Sequence, residues 1–245
     1  MTHVGTAFIM LSLLLLYKVT GSFEFDVIKN NLANVPDFLK TIIFFSSLIG
    51  FGIKAGIIPL HIWLPSAHPA APSHVSAMLS GIMIKTGIYM LARIYLDFFP
   101  QIPLWWGLTI LILGSISSLL GVLYALFEHD IKRLLAFHSI ENIGIILLGL
   151  GSAMVFSSMH LKTFAILSLV AALFHTMNHA TFKALLFLAA GSVINQTHTR
   201  NIEEYGGLIR FMPYTAFFFL IGSMAISALP PFNGFFSEWL TFQSL

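Results

Sequence analysis

The sequence predicts an all-α membrane protein, a polytopic bundle of about seven transmembrane helices, two of them broken. Three observations carry that expectation. Charged side chains make up 9% of the 245 residues and hydrophobic ones 57%, whereas a soluble globular domain is about 25% charged. Apolar stretches recur at close to the roughly 20 residues that cross the hydrocarbon core at about 1.5 Å per helical residue, and none alternates as a strand would. Glycine and proline interrupt two of these stretches near their ends, one at Gly50, Gly52, Gly56 and Pro59, the other at Pro230, Pro231 and Gly234.

Taken in order, the expected spans are residues 1–19, 41–63, 77–96, 104–127, 140–156, 164–193 and 213–229. The first has no basic region ahead of it and no small-residue cleavage site, so it reads as a span and not as a signal peptide. Charges gather between the spans, at residues 18–40, Asp97, 128–133, Lys162 and 200–210, and read as solvated loops. Lys and Arg divide almost evenly between alternate sides, so the positive-inside rule gives no orientation. Both ends sit within or just past a hydrophobic run, which suggests one membrane domain over residues 1–245, cut from a longer bundle.

Composition also excludes functions. The sequence contains no cysteine, which removes disulfides, iron–sulfur clusters and redox-active thiols, so redox chemistry, where the chain serves it, belongs to another subunit. No cofactor is implied on this chain. A net charge of +2, with no basic cluster interleaved with aromatics, points to no nucleic-acid partner.

Four ionisable residues escape the loops: Lys54, Lys85 and Lys183 inside spans, and Glu141 at the start of the fifth. A lysine at the bilayer centre costs about 2.5 to 3.5 kcal/mol on insertion scales, so each needs a compensating environment or must snorkel to an interface. Lys54 lies deep, among the glycines that precede Pro59. Glycine adds backbone entropy and proline deletes a helical hydrogen bond, so a discontinuous helix is expected there, with Gly52, Gly56 and Pro59 as its break. Non-helical backbone at membrane depth persists only where protein or water satisfies it, and an ammonium finds partners in the same places. Pro230 and Pro231 repeat the design in the last span, followed by Glu238. A pair of interrupted helices is a pointer to a transport pathway.

His175, His179 and Lys183 recur at i, i+4 and i+8 and so share one helical face, drifting about 40° per step. A His-x-x-x-His pair also suits zinc, but the intervening glutamate of a zincin is absent and no third ligand stands out. Structural hydrogen bonding or a hydrated proton relay remain, and histidine suits a relay because its reference pKa of about 6.5 lets it accept and release near neutrality. The segment 61–77 reads as a stiff loop whose His61, His68 and His74, separated by prolines, favour packing at the end of the bundle over a metal cage.

The run GIKAGIIPLHIWLPSAHPAAPSHVSAMLSGIMIKTGIYMLAR, followed in order by HDIKRLLAFHSIENIGIILLGLG, LFHTMNHATFKALLFLAAGSVI and ALPPFNGFFSEWL, resembles the antiporter-like proton-translocating subunits shared by respiratory complex I, membrane-bound hydrogenases and multisubunit sodium/proton antiporters. HSIENIG resembles the hydrogenase-4 and formate hydrogenlyase branch. The resemblance covers nearly the whole chain. It implies a fold of fourteen helices with two inverted five-helix repeats, each holding a broken helix, of which this chain is similar to helices six to twelve. It further implies a proton pathway through Lys54, Lys85, His175, His179, Lys183 and Glu238. The implied partners are the lipid bilayer, other membrane subunits of one complex and, through them, peripheral redox subunits with iron–sulfur clusters and a nickel–iron hydrogenase. The implied location is a prokaryotic inner membrane. A subunit of a cation antiporter without redox coupling is the rival reading.

Overall fold

The computed structural model describes residues 1–32 and 35–245. The described residues form α1 (Thr2–Thr20), α2 (Phe25–Asn31), α3 (Asp37–Ala55), α4 (Trp63–Ala70), α5 (Ser73–Phe98), α6 (Leu104–Leu126), α7 (Ile131–Ser158), α8 (Lys162–Thr197), α9 (Pro213–Ile226) and α10 (Asn233–Gln243). No strand occurs among them; one isolated antiparallel bridge joins Asp130 to Asn201. Helices α1, α3, α5, α6, α7 and α8 are long and apolar enough to cross a membrane, and α9 is a shorter apolar helix. The seven expected spans are therefore present, the last of them short, and the protein is integral to the membrane.

Three boundaries differ from the sequence reading, the first being the end of the second span, which stops at Ala55 and not at residue 63. Residues 61–77 are not a loop: Trp63–Ala70 is helical and α5 already begins at Ser73. Pro65 is tolerated because a proline near the start of a helix removes an N–H that lacks an intrahelical acceptor, and Pro69 falls next to the last residue, so the helix loses one hydrogen bond and ends there. The fifth span begins at Ile131 and not near residue 140, because Asp130 caps it by accepting from Lys132 and Arg133 N–H. Lys132 and Arg133 thus belong to the helix. Glu141, expected at its start, lies three turns in.

Helix α7 is the centre of the bundle, with 72% of its most apolar 18-residue window buried, against 17% for α1 at the rim. Its contact with α6 is made by glycines one heptad apart. A Cβ at Gly107 would lie 2.7 Å from Val155 N, at Gly114 2.9 Å from Leu148 N and at Gly121 2.6 Å from Glu141 N. Only backbone fits at these points. Lipid tails provide no hydrophobic drive between helices, so such small-residue seams, which maximise dispersion contact, hold membrane helices together.

At one end of the bundle the 128–133 and 199–205 segments clasp each other. Ile131 N donates to Arg200 O at 3.0 Å and Ile202 N to His129 O at 2.9 Å. Arg200 pairs with Asp130 at 3.2 Å and His129 with Glu203 at 3.0 Å. The same clasp holds the end of α4: Arg200 donates to Pro69 O, Lys132 to Ala71 O, both at 2.7 Å, and Ser76 to His68 O at 3.1 Å. Cations on the last carbonyls of a helix complement its dipole. Cysteines introduced at His129 and at Arg200 are therefore expected to react with an impermeant thiol reagent from one and the same side of the membrane; reaction from opposite sides would refute this topology.

Candidate functional site

The first helix break lies where the glycines require it. Helix α3 stops at Ala55 because Gly56 adopts φ 82°, a conformation that disfavours side chains, and its N–H returns to Gly52 and Ile53 carbonyls. The chain then turns back, the Trp63 indole donating to Ile53 O at 2.6 Å and Ile58 N to Ser117 Oγ at 3.1 Å. Lys54 sits in the last turn of α3, half-buried, with no hydrogen bond or ion pair among the described residues. At Gly87 a Cβ would lie 2.9 Å from Phe51 O. Helix α5 thus meets the turn of α3 that carries Lys54, two residues beyond Lys85.

Lys85 and Lys183 are buried, Lys183 completely, which disposes of snorkelling for both. Each ammonium is held on a backbone carbonyl: Lys85 donates to Ser80 O, and Lys183 to Leu135 O at 2.6 Å. The acceptor of Lys85 comes from a π-helical turn, Leu79–Met83, inside α5. Such turns displace carbonyls from the α-helical ladder and recur at functional sites. Between the two lysines, Ser80 Oγ and Ser139 Oγ lie 2.8 Å apart, and Ser139 also donates to Leu135 O at 3.0 Å. Helices α5, α7 and α8 are thereby joined by one chain of hydroxyl and carbonyl oxygens with an ammonium at each end. Glu141 and Lys85 both act electrostatically on Lys183.

The line continues along α8. His175 and His179 are fully buried, their rings parallel within 8° and 6.4 Å apart. His175 meets Asn142 Oδ1 through Nε2 at 3.2 Å and Ser237 Oγ through Nδ1 at 2.9 Å. Ser237 lies in α10, beyond the second break, where α9 ends at Ile226, Ala228 takes φ 50° and α10 starts at Asn233. Asn178 of α8 donates to Asn233 O at 2.9 Å and so fixes α10 to the same helix. Glu238, next to Ser237, is half-buried and within electrostatic reach of Glu141. No third His, Cys, Asp or Glu joins His175 and His179 in a cluster able to hold a metal among the described residues.

The structure thus places Lys183, His179 and His175 in one buried row on α8, with Lys85 of α5 joined to Lys183 through Ser80 and Ser139 and the Ser237–Glu238 turn of α10 against His175, and puts Lys54 at the α3 break beside α5. Sequence reading missed several members. Ser80 and Ser139 carry no signal, because serines inside helices usually bond back to their own turn. Glu141 stands out in the sequence, but its partner does not: it pairs with His138 at i, i+3, both of them inside the helix that starts after Asp130. His68, by contrast, packs as the sequence suggests: it is buried against Phe187, ring centroids 4.5 Å apart, with no hydrogen-bond partner for either nitrogen among the described residues. Lys132, counted among loop charges, is buried against Ala71 O.

Comparison with known proteins agrees with this fold. The family model for the transmembrane region of NADH:quinone oxidoreductase and Mrp antiporters matches residues 1–245. The chain is 50% identical to hydrogenase-4 component B of Escherichia coli K12 over 245 residues, covering 99% of this chain and 36% of that protein. It is 42% identical to formate hydrogenlyase subunit 3 of the same organism, covering 99% of this chain and 39% of that protein. Among solved structures, the Mrp complex from Dietzia sp. DQ12-45-1b superposes with a TM-score of 0.84 at 29% identity, covering 99% of this chain and 43% of that one. The chain spans about four-tenths of the length of these relatives.

Proposed function

The chain belongs to the NADH:quinone oxidoreductase/Mrp antiporter transmembrane family, and from that premise we propose that residues 1–245 act as one membrane module that conducts protons through Lys54, Lys85, Lys183, His179, His175 and Glu238. The observation that supports this most is the pair of buried lysines, each on a carbonyl, bridged by the Ser80–Ser139 hydroxyls and continued by two buried histidines. An ammonium and an imidazole give up and regain a proton and a hydroxyl passes one on as it accepts another, whereas an apolar interior offers no such group. Desolvation weakens the charged form of a lysine, so a buried lysine cycles when a nearby carboxylate alternately supports and releases it.

The driving event is redox chemistry in partner subunits, namely other membrane subunits and, through them, peripheral subunits carrying iron–sulfur clusters and a nickel–iron hydrogenase. Similarity to hydrogenase-4 component B supports this choice. A second reading, a subunit of a multisubunit sodium/proton antiporter without redox coupling, is favoured by the superposition on the Mrp complex.

Lys54 provides the test. In the full-length protein assembled with its partners, Lys54→Met is expected to abolish proton movement through this subunit while assembly persists, because methionine fits apolar surroundings. Lys54→Arg is expected to fail as well, since a guanidinium keeps its proton at any physiological pH. A lysine that merely snorkels gives the reverse: arginine substitutes and methionine costs little. Proton uptake by vesicles separates the two, and full transport by Lys54→Met would sink the assignment.

A further inference from the structure

At the end of the bundle opposite the clasp, a cavity of about 470 Å³ opens between the C-terminal ends of α5 and α7 and the start of α8, and we propose that it binds the phosphate headgroup of an anionic phospholipid. The two ends of α7 fix its position. One end is in the clasp, and 28 residues later, roughly 42 Å along the helix axis, the other borders the cavity at the far membrane boundary.

The lining is divided by depth. Gln101, Ser157, Ser158, His160 and Lys162 line it at the helix ends and in the turn between α7 and α8. Ala165, Ile166 and Leu169 continue it into the span along one side of α8, the last of them about 10 Å beyond Lys162 at the helical rise. A headgroup beside Lys162 therefore lays its acyl chains along this aliphatic wall, at the depth where hydrocarbon begins. Free phosphate would use the polar half and leave the wall unexplained.

Charge points the same way. No residue lining the cavity is acidic. Lys162 has no ion pair among the described residues. Asp97, the acid next to the lining residue Leu96, is already held by Lys29 at 2.7 Å and Arg93 at 2.5 Å. The rim thus offers one unpaired ammonium, an imidazole and hydroxyl and amide donors to an anion, a donor set that matches phosphate oxygens. The volume falls in the range of sites for small ligands.

The test uses the protein in its assembled complex, purified in detergent, with bound lipid counted by native mass spectrometry. Phosphatidylglycerol is expected to be retained over phosphatidylcholine. Lys162→Ala should weaken that retention by about tenfold, the scale of one lost charge-assisted contact, and Ala165→Phe should block it by filling the wall. Inorganic phosphate at the same concentration should not displace the lipid. Equal retention of the two lipids, undiminished retention by both variants, or displacement by inorganic phosphate would each overturn the proposal. Where the variants do not accumulate, a photoactivatable phosphatidylglycerol decides on the unaltered protein: crosslinks within residues 96–102 or 153–169 support the site, and crosslinks only elsewhere overturn it.

Discussion

Lys183→Met is expected to reduce proton movement through the subunit by about 100-fold or more, the lower end of the scale for removing a positioned proton-transfer group, without loss of the protein from the membrane. Lys183 is fully buried in the middle of α8, and its ammonium rests on the Leu135 carbonyl at 2.6 Å. Removing the ammonium leaves no orphaned acceptor, because Ser139 Oγ still donates to the same oxygen at 3.0 Å. Methionine keeps the length and apolar bulk of the stem, so the packing of α8 against α7 survives. What disappears is the titratable group that stands between the serine pair and His179 among the described residues. Lys183→Arg is expected to fail more severely than Lys54→Arg: a planar guanidinium with five donors enters a site closed on all sides, while Lys54 is half-buried. The measurement is proton uptake in vesicles alongside a thermal melt of the purified protein. A purely structural lysine predicts a lowered Tm with transport intact in the surviving protein, and that outcome would remove Lys183 from the pathway.

Gly121→Leu is expected to have the largest effect on folding. A Cβ at this position would stand 2.6 Å from Glu141 N and 2.8 Å from its Cα, and backbone atoms inside a helix cannot yield as a flexible side chain does. Overpacking typically costs about 1 to 3 kcal/mol, and a clash against backbone lies at or above the top of that range. Total stabilities run only about 5 to 15 kcal/mol, so most of the folded population is expected to be lost, with Gly121→Ala intermediate. Leu119→Ile, two residues away and 60% exposed, is the matched control and should be silent. Yield of monodisperse protein after extraction, followed with temperature, reads the effect. An unchanged melting profile for Gly121→Leu would mean that α6 and α7 do not meet as closely as described.

The spans were legible because a helix that crosses a bilayer must be apolar for about 20 residues regardless of its neighbours. The breaks were legible for the same kind of reason: Gly56 and the prolines near residues 59 and 230 act on the backbone directly. Lys85, His175, His179 and Lys183 stood out because charge and imidazole are costly at depth. What could not be read were features set by the partner across the interface. Ser80 and Ser139 look like any helical serine until α5 and α7 are side by side. Lys132 looked solvated because the charged run 128–133 suggested a loop, whereas Asp130 starts a helix there and turns Lys132 toward Ala71 O. Residues 61–77 looked irregular because three prolines outweigh local pattern, yet packing against α7 and the clasp makes Trp63–Ala70 a helix.

The tether at the end of α4 has a mechanical consequence. Carbonyls 68, 69 and 71 are gripped by Ser76, Arg200 and Lys132, one anchor from α5, one from the segment after α8 and one from the first turn of α7. The short half of the first broken helix is therefore not a lever swinging on its own. A push on it is shared at once among the three helices that carry Lys85, Lys183 and Leu135, and packed interiors transmit such displacement with little give. Any rearrangement at the first break arrives at both buried lysines together, as a torque on their helices rather than as a signal passed residue by residue.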